Sequence, residues 1–333
     1  MLRRYLWLPV SLLLLGFVVW HTRPWEIAQL GIAFDPVPLL AAVALNGVVV
    51  LLWAIRSRSL MAGVGYPLSI GALIPVVSFA NTVSNLTPAS AGEALRAVVL
   101  RNRHGVPLTR STAVILVERL WAVGIMAVSA AAAAFVILGH AAPAVAAAVW
   151  LAAAVACFAP ALADRAGIRP GRLLERRRSR GGRVTAPAGR GARMVTALIE
   201  LDRTLETLVT DPRRAVVFVA TTAGIFACYA AQLSLVLGVL GEPLPLDASW
   251  AALGLATVAG VLSALPFGLG AADAVLALVL GQLGTSAAVS GAAVLLIRLV
   301  ATLPLGIAGA LSWSVLGRAR TATDAPATIA GPG

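Results

Sequence analysis

The sequence contains no lysine, and it has only 2 cysteines, 3 histidines and 3 tyrosines in 333 residues. Without lysine the chain cannot form the G-x-x-x-x-G-K-[ST] loop that binds nucleotide phosphates, which excludes an ATPase of that type. Cys157 and Cys228 are far apart in apolar segments, and the histidines are scattered. Neither a disulfide framework nor a metal site is therefore expected, and no cofactor is predicted.

Charged residues are also scarce. They make up 12% of the chain, whereas 59% of the residues are hydrophobic and the mean hydropathy is +0.91. This composition is typical of polytopic α-helical membrane proteins. The formal net charge of +12 is carried by arginine alone, and most arginines lie in loops beside apolar segments. The positive-inside rule accounts for this pattern better than nucleic-acid binding, so no nucleic-acid partner is expected.

The apolar segments predict an all-α fold with about six full membrane spans. The spans are assigned to residues 5–21, 38–55, 111–138, 144–162, 214–240 and 287–313. The first resembles a signal peptide, but no small-residue cleavage site follows it, so a retained helix is expected.

Two further apolar regions are interrupted in the middle. Residues 69–84 and 90–101 flank the first break, and residues 248–263 and 271–283 flank the second. Each piece is shorter than the roughly 20 residues that a span needs. Each pair is therefore predicted to form a helical hairpin that enters the membrane and returns to the side from which it started.

The arginines also predict the orientation. With both termini in the cytoplasm of a multi-pass inner-membrane protein, nearly all loop arginines lie on the cytoplasmic side. The first hairpin then enters from the cytoplasm and the second from outside. The two halves would therefore form an inverted repeat, an arrangement found in transporters.

Four regions follow one another along the chain. They are an N-terminal membrane half (1–162), a cytoplasmic Arg-rich loop (163–213), a C-terminal membrane half (214–316) and a disordered cytoplasmic tail (317–333). The loop is expected to contain a disordered Gly- and Arg-rich stretch, followed by an amphipathic helix on the inner membrane surface.

Both breaks carry the same pattern of residue types. Each has a proline, one or more glycines, an acid soon afterwards and an arginine in the next span: Pro88, Gly92, Glu93 and Arg119 in the first, and Pro266, Gly268, Gly270, Asp273 and Arg298 in the second. The helices that begin after the breaks would place their N-termini in the membrane, where partial positive charge attracts anions. The pattern predicts a polar site inside the bilayer.

The charged residues near the breaks have two interpretations. They are Glu93, Arg96, Glu118, Arg119, Asp273 and Arg298. Each costs about 2.5–3.5 kcal/mol at the centre of a membrane helix, a large cost if packing were the sole purpose. The signs balance three against three, so a purely structural network is the alternative. Asn46, Asn81, Asn85 and Gln232 could serve either purpose.

Local roles are open for some of these residues. Ser90 and Glu93 match a capping box, and Asp273 could simply offset the dipole of its helix. Glu93 and Arg96 share a helix face and can neutralise each other. Glu118 and Arg119 are adjacent, so each must find its partner elsewhere.

These two motifs resemble those of the lysylphosphatidylglycerol synthase transmembrane-region family, also called flippase-like domain proteins. The resemblance covers roughly residues 5–315. Family positions are matched by Pro88, Gly92, Glu93, Arg96, Glu118 and Arg119 in the first motif, and by Pro266, Gly268, Gly270 and Arg298 in the second. Asp273 stands near a position where the family usually has glutamate.

The resemblance implies a membrane domain that moves a modified lipid between leaflets, while a separate soluble domain performs aminoacyl transfer. Few residues follow the last span, so synthesis of lysyl-phosphatidylglycerol is not expected. We expect a non-enzymatic protein that flips an anionic phospholipid or a polyprenyl-phosphate-linked lipid, held by Arg96, Arg119 and Arg298. One alternative is a membrane-embedded transferase in which Glu93 or Asp273 is the general base. Another is a membrane partner of a glycosyltransferase or aminoacyltransferase.

Overall fold

The computed structural model describes residues 7–26, 35–87, 92–137, 204, 207–208, 210–263 and 265–323. The α-helices in these ranges are α1 (Trp7–Thr22), α2 (Pro36–Gly63), α3 (Ile70–Leu86), α4 (Gly92–His104), α5 (Leu108–Ile137), α6 (Pro212–Val239), α7 (Leu246–Ser263), α8 (Ala271–Gln282), α9 (Ala287–Ile297) and α10 (Leu303–Thr323). A 3₁₀ turn spans Pro266–Gly268, and a π-helical turn over Arg298–Thr302 joins α9 to α10. The described residues contain no strand.

Length and apolar character make this a polytopic membrane protein. Among the described residues, α2, α6, α7 and the continuous helix Ala287–Leu316 are long and apolar enough to cross a bilayer. The predicted spans 5–21 and 111–138 correspond to α1 and to the 30-residue α5. The predicted span 144–162 lies outside the described residues.

Two of the long helices begin in the same way. Asp35 accepts a hydrogen bond from the backbone nitrogen of Val37 at 2.9 Å, and Asp211 accepts one from Arg213 at 2.9 Å. Each aspartate is followed by a proline at the first helical position. Proline there removes no hydrogen bond, because that N–H has no partner within the helix. The Asp-Pro pairs thus fix where α2 and α6 start.

Helices α2 and α6 form an antiparallel pair at the centre of the structure. Gln232 of α6 donates to the carbonyl of Ala42 at 2.8 Å, near the start of α2. At the opposite end, Gly63 of α2 lies against the side chain of Arg214 at the start of α6. A core of buried apolar side chains surrounds each end of the pair.

The first hairpin consists of α3 and α4, and its tip is very tight. A side chain at Gly92 would come within 2.2 Å of the backbone nitrogen of Ser84, so only glycine fits there. The open end lies at the Gly63 end of α2, where Arg110 at the start of α5 donates to the carbonyl of Val64 at 2.8 Å.

The second hairpin consists of α7 and α8 and opens at the other end of the central pair. Beyond the end of α6, the carboxylate of Glu242 accepts a hydrogen bond from the backbone nitrogen of Ser286 at 2.8 Å. Phe267, in the break, has a φ of +54°, although it is not glycine. Helix α7 has 18 residues and is long enough to cross, so the prediction that every hairpin arm falls short of a span is wrong for this arm.

Helix α10 continues to Thr323, within the region predicted as the cytoplasmic tail (317–333). Most of the Arg-rich loop, including its predicted disordered stretch, lies outside the described residues. Leu208, from the predicted amphipathic helix, is fully buried in the core beside α2.

Candidate functional site

A cavity of ≈ 690 Å³, here called the central cavity, lies between the tips of the two hairpins. Its charged lining residues are Glu93, Arg119, Asp273 and Arg298. Its neutral polar lining residues are Asn81, Thr82, Ser84, Asn85, Thr87, Tyr229, Gln232, Thr257 and Thr302. Such a volume is within the range of small-molecule sites, about 300–1,000 Å³. Both motifs of the sequence therefore meet at one cavity.

The second break is held by Arg298. Its Nε and Nη2 atoms donate to Oδ1 of Asp273 at 2.9 and 2.8 Å, and Nη1 donates to the carbonyl of Phe267 at 2.9 Å. The other oxygen of Asp273 accepts a hydrogen bond from the backbone nitrogen of Gly270 at 2.8 Å. Asp273 therefore has two roles: it caps the N-terminus of α8, and it forms an ion pair with Arg298.

Arg298 stands at the start of the π-helical turn. Such turns interrupt the regular hydrogen bonds of an α-helix and often occur at functional sites. Within this turn, the carbonyl of Val300 accepts a hydrogen bond from the amide of Asn46 at 2.7 Å. The turn thus anchors the helix to α2 immediately beside the cavity.

The first break presents a more open ion pair. Arg119 of α5 donates from Nη2 to Oε1 of Glu93, which lies in the first turn of α4. The Arg119 side chain is 45% exposed, whereas that of Arg298 is 21% exposed. Arg119 is therefore the more accessible of the two arginines that line the cavity.

Arg96 and Glu118 lie behind this pair, outside the cavity lining. Arg96 pairs with Glu118 through Nη1 and donates from Nη2 to the hydroxyl of Ser57 at 2.6 Å. Its Nη1 also lies 3.6 Å from Oε2 of Glu93, which joins the buried network to the cavity. Glu93 and Arg96 do pair, and the neighbours Glu118 and Arg119 have different partners, as predicted.

The sequence reasoning missed Arg56. The predicted span 38–55 ends one residue before Arg56, but α2 continues to Gly63 and carries Arg56 into the network. Its Nε lies 3.6 Å from Glu118, and its guanidinium group lies 5.1 Å from the centre of the Phe218 ring. Ala54 and Ser57, which flank it on α2, are both fully buried, and no pattern in the sequence indicated this.

Arg56 changes the charge balance of the site. Four arginines (Arg56, Arg96, Arg119 and Arg298) now stand against three acids (Glu93, Glu118 and Asp273). The expected cancellation, three against three, is therefore replaced by one surplus positive charge.

The remaining predicted site residues are divided between lining and support. Asn85 and Gly268 line the cavity. Pro266 is buried in the 3₁₀ turn, Gly270 caps α8, and Gly92 starts α4. Pro88 and Ser90 lie outside the described residues, so the proposed capping box at Ser90 is not visible. Over the described ranges no three acidic, histidine or cysteine side chains form a group suited to a metal ion.

Comparison with known protein families identifies a family for this chain. The sequence model of the family described as Lysylphosphatidylglycerol synthase TM region matches residues 6–309. That range contains both hairpins, the central cavity and all seven charged residues described above. No curated protein matches the chain.

Proposed function

Because the chain belongs to the lysylphosphatidylglycerol synthase TM region family, we propose that it moves an anionic lipid between the leaflets of the inner membrane. The lipid is a phospholipid or a polyprenyl-phosphate-linked intermediate. Its head group crosses through the central cavity while its tails stay in the bilayer.

One observation carries this proposal: each hairpin region contributes an arginine to the same cavity. Arg119 comes from beside the first break and Arg298 from beside the second. Guanidinium groups bind phosphate through paired hydrogen bonds, and such bonds are strong where water is excluded. A phosphate between the two breaks can be bound by both.

The surplus positive charge gives the anion an electrostatic reason to enter. The charged residues that line the cavity balance, two against two, and Arg56 in the network behind them adds one positive charge. In a low-dielectric protein interior such a charge attracts an anion more strongly than an exposed charge does. Arg56 and Arg96 are too deeply placed to line the cavity, so we assign them, with Glu118, to positioning Glu93 and Arg119.

The hairpin geometry supports an inverted repeat, and the distribution of loop arginines supports the placement of both termini in the cytoplasm. The two hairpins open at opposite ends of the antiparallel α2–α6 pair, while their tips share the central cavity. A single site reached by two oppositely oriented hairpins suits alternating access from the two leaflets. No nucleotide is needed for such exchange, which would be passive or ion-coupled.

Leaflet exchange in proteoliposomes tests the proposal. A panel of fluorescent phospholipids and polyprenyl phosphates is scored by the loss of protection from a membrane-impermeant quencher. We expect exchange of at least one anionic lipid by the wild type and its loss in Arg298→Ala. Arg58→Ala is the matched control, because Arg58 is an exposed arginine of α2.

The same assay distinguishes lipid movement from the transferase alternative, in which the lipid is chemically changed. Both oxygens of Asp273 accept hydrogen bonds, and Glu93 is paired with Arg119 and Arg96, so each acid is engaged by an arginine. We therefore propose relocation without chemical change. Recovery of a modified lipid from the vesicles would contradict this, and an absence of exchange by folded protein would favour the role of a membrane partner of another enzyme.

A further inference from the structure

The central cavity contains a neutral polar region that the binding of a phosphate leaves unused. It is formed by Gln232 and Tyr229 of α6 and by Asn81 and Ser84 of α3, here called the amide–hydroxyl region. On α6, Gln232 lies ten residues beyond Thr222, the partner of Arg56, or about 15 Å along the helix. Gln232 is therefore displaced along α6 from the contact between Arg56 and Thr222.

Two atoms in this region are buried without hydrogen-bond partners. They are Oε1 of Gln232, whose side chain is fully buried, and Oγ of Ser84. Buried polar atoms are nearly always paired, so each such exception needs an explanation. Both residues line the cavity, where a ligand could supply the missing hydrogen bonds.

The orientation of the Gln232 amide is fixed by its other end. Its Nε2 donates to the carbonyl of Ala42 at 2.8 Å. A reversed amide would place two carbonyl oxygens against each other, so Oε1 must be the atom left over. An acceptor in that position requires a donor, and a hydroxyl group of a ligand provides one.

A cationic head group does not suit the cavity. Oε1 of Glu93 is bound by Arg119, its Oε2 lies 3.6 Å from Arg96, and both oxygens of Asp273 are occupied. An ammonium group would meet carboxylates that are already neutralised, together with one surplus positive charge. Neutral hydroxyl groups meet no such repulsion, and each can both donate and accept.

We propose that the transported lipid is a phosphodiester whose head group is a neutral polyol, such as glycerol or a sugar-like ring. Arg119 and Arg298 bind the phosphate, and the amide–hydroxyl region binds the polyol. This inference rests on the proposed function and narrows it to a substrate class. It also separates this chain's substrate from a lysyl-bearing lipid.

The test compares lipids with the same fluorescent acyl chains in proteoliposomes that contain the full chain. Phosphatidylglycerol and phosphatidylinositol carry hydroxyl groups, whereas phosphatidylethanol has the same single charge and none. Lysyl-phosphatidylglycerol adds the cationic group. We expect at least one polyol lipid to exchange about tenfold faster than phosphatidylethanol, the effect of one or two hydrogen bonds that a site is built to make. Lysyl-phosphatidylglycerol should be no faster than phosphatidylethanol.

Two substitutions test whether the preference for polyol lipids depends on the amide–hydroxyl region. Gln232→Leu and Ser84→Ala each remove one unpartnered atom, and each should reduce the tenfold ratio to about threefold or less. Ser84→Ala keeps the side chain's Cβ, so it tests the proposal even if Gln232→Leu misfolds. Gln282→Leu is the matched control, because Gln282 is exposed at the end of α8 and outside the cavity lining; it should keep the ratio.

The outcomes are distinct. If phosphatidylglycerol alone exchanges faster than phosphatidylethanol, the head group of the substrate is glycerol. If phosphatidylinositol exchanges faster, the head group is a sugar-like ring. Equal exchange of phosphatidylethanol and both polyol lipids overturns the polyol inference but leaves the proposed function standing. Fastest exchange of lysyl-phosphatidylglycerol also overturns it. Absence of exchange for every phosphodiester by folded protein overturns the polyol inference, and absence of exchange for the polyprenyl phosphates as well overturns the proposed function.

Discussion

Replacement of Arg298 by methionine should destabilise the fold, and the reason can be worked out from its contacts. The substitution removes two hydrogen bonds to Asp273 and one to the carbonyl of Phe267. It also leaves the Asp273 carboxylate, 3% exposed, without its counter-ion. Loss of one partner of a buried ion pair costs about 3–5 kcal/mol, and we expect Arg298→Met to fall in that range.

A double substitution separates two contributions to the loss of stability, namely the cost of the unpaired buried charge and the cost of the lost hydrogen bonds. In Asp273→Asn with Arg298→Met, no buried charge remains and the asparagine can still accept from Gly270. The double variant should lose only about 1–2 kcal/mol, so it should be about 1–4 kcal/mol more stable than Arg298→Met, and this non-additivity is the coupling between the two residues. Reversible unfolding in mixed micelles, followed by circular dichroism, measures all four proteins.

Two results would refute this reasoning. Arg298→Met could cost less than about 1 kcal/mol, which would mean that the pair is hydrated and not structural. Alternatively the double variant could be no more stable than Arg298→Met. If the expected coupling is found, the double variant is also a stable protein that lacks Arg298. We expect this variant to show no lipid exchange.

Two further predictions concern packing and charge. Gly92→Ala should destabilise the first hairpin by about 1–3 kcal/mol or prevent its folding, because the new methyl group would overlap the backbone of α3. Gly71→Ala is the control, because a Cβ at that position meets nothing within 4 Å. It should be tolerated in the same unfolding experiment. Arg56→Met should slow the exchange of anionic lipid several-fold by removing the surplus charge, whereas Arg58→Met, at an exposed position of the same helix, should leave the rate unchanged. Equal rates for these two arginine variants would argue against the electrostatic account.

The sequence located both breaks because proline, glycine and acids mark helix ends through local physics. Gly92 starts α4 and Asp273 caps α8 by the same rules that apply in any helix. The adjacency of Glu118 and Arg119 also indicated correctly that their partners lie on other helices. These inferences needed only neighbours in the chain.

The role of Arg56 could not be predicted from local sequence patterns. A hydropathy pattern finds the apolar part of a helix, but α2 continues eight residues beyond the predicted end at residue 55, to Gly63. The contacts of Arg56 with Glu118 and Phe218 join distant parts of the chain, and no local pattern encodes them. The π-helical turn at Arg298 was likewise not predictable, because tertiary packing and not propensity produces it.

The backbone of Phe267 gives the second hairpin a strained turn at its tip. A φ of +54° is unfavourable for a bulky residue, and the carbonyl of the same residue accepts a hydrogen bond from Arg298. The guanidinium group that would bind a phosphate therefore also holds a strained peptide in place. An anion that draws Arg298 away from this carbonyl would let the strained turn relax. The arrival of the head group and the reshaping of the hairpin would then be one event, so that the cargo itself would trigger the step that carries it.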